Sequence, residues 1–102
     1  MVDASTESFL AECFWPDVGD ADLAALERRI AAATAELNEQ RRFVRYLGSL
    51  LLRDDEVVFC QFEGTAESVR EAAERAQVPF ERILAADRSP WHSTGYHARG
   101  AP

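Results

Sequence analysis

The chain has 102 residues, 47% hydrophobic and 28% charged, with a formal net charge of -7. That length holds one self-sufficient domain and no second one, and the interleaving of charged with apolar residues excludes wholesale disorder. The acidic balance argues against nucleic acid and anionic lipid as partners, since both need a basic face, and no apolar run nears the roughly 20 residues that span a bilayer.

Met1 to Ser8 contains two acids and no base, the reverse of a secretory signal, so the expected location is cytoplasmic. Cys13 and Cys60 each sit inside an apolar run, and reduced core thiols are the expectation for both.

Glu7 to Trp15 (ESFLAECFW) is rich in aromatic residues and closes on Pro16, Asp17 and Gly19, which predicts a strand and a turn. From Asp20, the expected N-cap, Leu23, Leu26, Ile30, Ala33 and Leu37 recur at steps of three and four, predicting a helix to about Asn38. FVRYLGSLLLR (Phe43 to Arg53) and EVVFCQFE (Glu56 to Glu63), joined through Asp54 and Asp55, predict a hairpin.

Thr65 offers a second N-cap before Val69, Ala72, Ala73 and Ala76, with Pro79 as the stop. Phe80 to Ala86 supplies a last short strand. The domain is expected over residues 7–88, with 89–102 (SPWHSTGYHARGAP) as an irregular tail.

The order βαββαβ, with right-handed crossovers, implies a ferredoxin-like α+β sandwich: a four-stranded antiparallel sheet with both helices on one face. The strand patterns are apolar on both sides. Phe9, Ala11, Cys13 and Trp15 lie opposite Leu10 and Phe14, and Val58, Cys60 and Phe62 lie opposite Val57 and Phe59. A sheet with one wet face alternates apolar with polar, so the helix-free face is expected to be buried against a second copy, giving a homodimeric α+β barrel with sheets about 10 Å apart.

Glu12 with Phe14 and Pro16, VRYLGS (Val44 to Ser49), VFCQFE (Val58 to Glu63) and VREAAERAQVPFERI (Val69 to Ile83) together resemble the family catalogued as domain of unknown function 4242. The resemblance spans roughly residues 8–87. That family comprises small actinobacterial proteins and includes a nickel-binding member with a dimeric ferredoxin-like fold, so the resemblance implies the same fold and names nickel as a cofactor. Residues 7–88 contain no histidine to carry such a ligand set over residue by residue.

Glu12 is a carboxylate in a run whose neighbours all expect burial, and it needs a partner, a proton or a ligand. Arg45 and Tyr46 are the candidate partners, the choice resting on strand register. The pairing reads either as a structural ion pair or, with Tyr46 beside it, as an acid-base couple acting on an organic molecule. Gln61 breaks the second apolar run and is a further pocket candidate if it shares a face with Glu12. Glu63 at the strand end reads as solvated, and Ser49 lacks the His of a hydrolase site.

Both histidines, His92 and His97, lie in the tail with Trp91 and Tyr96. The pair could share a metal, and Trp91 could cover a barrel mouth. The leading expectation is a small-molecule-binding dimeric barrel with cofactor-free acid-base chemistry of the cyclase or isomerase kind. Glu12 and Tyr46 would be its catalytic pair, with Arg45, Gln61 and Trp91 on the ligand. The alternatives are a nickel-binding protein using carboxylates with His92 and His97, and a non-catalytic protein-interaction module.

Overall fold

The computed structural model describes residues 7–87. Its elements are β1 (Glu7–Phe14), α1 (Asp20–Glu39), β2 (Val44–Leu52), β3 (Val57–Gly64), α2 (Ala66–Arg75) and β4 (Arg82–Ala86). The four strands form one antiparallel sheet in the order β2-β3-β1-β4, the ferredoxin-like arrangement expected from the element order. Among the described residues no helix is long and apolar enough to cross a membrane.

Local chemistry sets the helix ends. The N-cap of α1 is Gly19, one residue before the expected Asp20. The backbone N–H of Gly19 donates to Asp22 Oδ2 at 2.9 Å, and Asp20 instead occupies the first turn, where its charge suits the helix dipole. At the other end the Asn38 amide donates to Val44 O at 2.9 Å and accepts from Val44 N–H at 3.3 Å, tying the end of α1 to the start of β2. Thr65 caps α2 as expected, its hydroxyl oxygen accepting from Ser68 N–H at 3.0 Å.

Both helices cover the same sheet face. Leu26, Ile30 and Leu37 of α1 and Val69, Ala72 and Ala73 of α2 pack on Phe9, Ala11, Cys13, Val58, Cys60 and Phe62. The alanine face lets α2 lie close to the sheet, and each large side chain fully buried there contributes about 1.5–3 kcal/mol. Cys13 and Cys60 are free and buried, as expected of core thiols.

β2 departs from simple alternation. Tyr46 pairs with Phe62 and Gly48 with Gln61, so Leu47 is an extra residue and the strand bulges. Before the bulge Val44 and Tyr46 point to the helices; after it Ser49 and Leu51 do, and Gly48, Leu50 and Leu52 turn to the other side. Gly48 has φ +118°, which suits glycine, and a Cβ there would stand in open space. Gly64 is fixed by contact instead: a Cβ would lie 2.7 Å from the Phe43 carbonyl oxygen.

Both glycines are therefore expected to resist substitution. Gly48→Ala should lower unfolding stability by about 1–3 kcal/mol through backbone strain, and Gly64→Ala by more, because main chain must move. Urea unfolding with an unchanged m-value measures both, and wild-type midpoints would contradict the assignment.

Candidate functional site

The helix-free face consists of four rows of side chains fixed by strand register. Leu52, Val57 and Phe14 form the first, Leu50, Phe59, Glu12 and Arg82 the second. Gly48, Gln61, Leu10 and Leu84 form the third, and Arg45, Glu63, Ser8 and Ala86 the fourth. Glu12, Gln61 and Arg45 thus share one face, as the pocket reading requires.

The expected partner of Glu12 is corrected by this register. Neither Arg45 nor Tyr46 adjoins it, because β3 lies between β2 and β1. Arg82 of β4 stands opposite Glu12 and donates from Nε to Glu12 Oε1 at 2.5 Å. Arg45 pairs instead with Glu63, 3.3 Å away at the far corner of the face. Arg82 was open to discovery from sequence, since a ferredoxin-like order flanks β1 with β3 and β4.

Tyr46 points to the opposite side of the sheet. Its ring packs against Phe62 with centroids 5.5 Å apart, and its hydroxyl donates to Glu27 Oε2 of α1 at 2.7 Å and contacts the Ser49 hydroxyl. Ser49 in turn donates to Cys60 Sγ at 3.7 Å. Burial pushes the Tyr46 phenol well above its ordinary range. The Cys13 thiol is likewise raised, by its hydrogen bond with Cys60 and then by burial. Glu12 and Tyr46 therefore cannot act together on one bound molecule.

A groove of about 250 Å³ opens over the third and fourth rows, lined by Leu10, Leu47, Leu50, Gln61 and Asp87 among others. The bulge makes it: Gly48 leaves the space beside Gln61 empty, and Leu47 forms a wall. A broader depression at the other end is bounded by Glu12, Phe14, Val57, Glu81 and Arg82. Trp91, His92 and His97 lie outside the described residues. Among the described residues no group of three or more His, Cys, Asp or Glu is placed to hold a metal ion.

Comparison with known proteins adds a family. The profile described as nickel responsive protein SCO4226-like matches residues 9–85. The chain belongs to this family. The crystal structure of SCO4226 from Streptomyces coelicolor A3(2) superimposes with a TM-score of 0.65 at 19% identity, covering 80% of this chain and 98% of that one. At that identity the likeness speaks for the fold the nickel-responsive family shares. No curated protein is significantly similar.

The nickel-responsive family name and the donors described here do not match: the described residues of this member offer no clustered imidazole, thiolate or carboxylate set for nickel.

The half-buried Tyr46 phenol gives a pH prediction. Its folded-state pKa exceeds the unfolded value near 10, so its contribution to stability is complete below about pH 10 and declines as pH rises above it. Tyr46→Phe should remove that part of the alkaline decline in urea titrations. An identical decline in the variant would contradict the burial account.

Proposed function

We propose that two copies of this chain pack helix-free face to helix-free face, and that the grooves so enclosed bind a small, largely apolar organic molecule. The observation that carries this reading is the exposure of Phe14 (55%), Leu50 (53%) and Leu52 (44%), all on the helix-free face. Large side chains left in water on a sheet face mark an interaction surface. Burying what each leaves exposed is worth about half of the roughly 1.5–3 kcal/mol for full burial, in each copy, and this sum is set against the cost of association.

The few polar groups on this face fit the usual make-up of a ligand site, apolar walls with sparse, placed polar atoms. The reading is one of binding. Glu12 is already engaged by Arg82, and the phenol expected to assist it faces the helices, so proton transfer is not part of the proposal.

Leu50→Glu tests the dimer without threatening the protomer's core, because Leu50 is outside it. Light scattering after size exclusion should report twice the 11.4 kDa chain mass for the wild type and the single mass for the variant, with unchanged circular dichroism. A variant that remains dimeric would contradict the reading.

The family match supports a second reading, nickel binding. With both histidines beyond the described residues, His92 and His97 are the ligands this reading needs. Calorimetric titration of untagged protein should then show nickel uptake that disappears in a chain ending at Asp87. Uptake that survives the truncation would place the ligands elsewhere, and no uptake would end the nickel reading.

A further inference from the structure

We propose that the groove beside Gly48 is selective for neutral, flat molecules of one or two rings that carry an amide-like donor and acceptor edge, read by the side-chain amide of Gln61. This rests on the reading of the helix-free face as a binding surface. It goes further by assigning the ligand's chemistry.

Beside the Ser8 hydroxyl at the groove's edge, the polar groups of the face divide into two kinds. Glu12 with Arg82 and Arg45 with Glu63 satisfy one another as ion pairs. The Gln61 amide, by contrast, has no hydrogen-bond partner among the described residues. It sits in mid-sheet between Leu10 and Gly48, half-buried, and on the Gly48 side a Cβ would meet nothing within 4 Å. An amide offers a donor and an acceptor side by side, and half-buried among leucines it gains most from a ligand that supplies the matching acceptor and donor at once.

Charge excludes the ionic alternatives. Among the described residues the groove's lining contains no basic residue, and Asp87 at its exposed rim, with the net charge of -7, repels anions. A cation would have to leave water against Leu10, Leu47 and Leu50. Its pairing with an exposed carboxylate is worth only about 0–1 kcal/mol, less than that desolvation. A volume of about 250 Å³ lies below the range of roughly 300–1,000 Å³ typical of drug-sized sites, which limits the ligand in one groove to a small ring system.

Three probes of one shape separate the possibilities: benzamide, benzoate and benzylamine, each titrated into the full-length ¹⁵N-labelled protein while the Gln61 side-chain NH₂ and the Leu10, Leu47 and Gly48 amides are followed. Benzamide should shift these signals and bind roughly tenfold more tightly than either charged probe. In Gln61→Leu that preference should vanish while the oligomeric mass and circular dichroism stay as in wild type.

Benzoate or benzylamine binding in the groove as tightly as benzamide would overturn the ligand assignment and leave the binding surface standing. Unchanged benzamide preference in Gln61→Leu would overturn the role of Gln61. If none of the three disturbs the groove signals, the ligand assignment falls, and the pairing of the faces is decided separately by the mass of the Leu50→Glu variant.

Discussion

One extra residue in β2 governs both faces of this sheet. Without the bulge at Leu47, strict alternation from Tyr46 would send Leu50 and Leu52 into the helix-covered core and expel Ser49 and Leu51. With it, Ser49 faces Tyr46 and Cys60 in a half-buried polar chain, and two leucines join Phe14 and Phe59 on the helix-free side. The same step places Gly48 beside Gln61 and so hollows the groove. Core, surface and candidate site are consequences of a single irregularity that glycine makes affordable.

The helix-free face then combines an apolar field with charges that cancel in pairs. Arg82 holds Glu12 and Arg45 holds Glu63, while the Gln61 amide in mid-sheet has no hydrogen-bond partner among the described residues. On the proposed reading such a face takes up a second copy and a neutral ligand. Family membership points toward nickel, yet a shared fold carries no ligand set with it, and the described part of this member holds no cluster of metal donors.

Much of this was legible in the residues. The three-and-four spacing of Leu23 to Leu37 located α1, Thr65 marked the cap of α2, and the doubly apolar strands foretold large apolar side chains on the helix-free face. Register was not legible, because a strand pattern tells which residues alternate and not which strand lies alongside. Glu12 was for that reason assigned partners on β2 when its neighbours are β3 and β4. The bulge had a signal in Gly48, a lone glycine inside a strand run, and which of Arg45 and Tyr46 shares the face of Glu12 was left to a register the pattern does not give.

Pairing of the two helix-free faces is the claim on which the rest turns, and contacts between chains test it most directly. In a sample mixed from differently isotope-labelled protein, filtered nuclear Overhauser spectra should connect the Leu50 and Leu52 methyls of one chain with the Phe14 and Phe59 rings of another. Absence of such contacts, with those methyls broadened by a soluble paramagnetic probe, would contradict it.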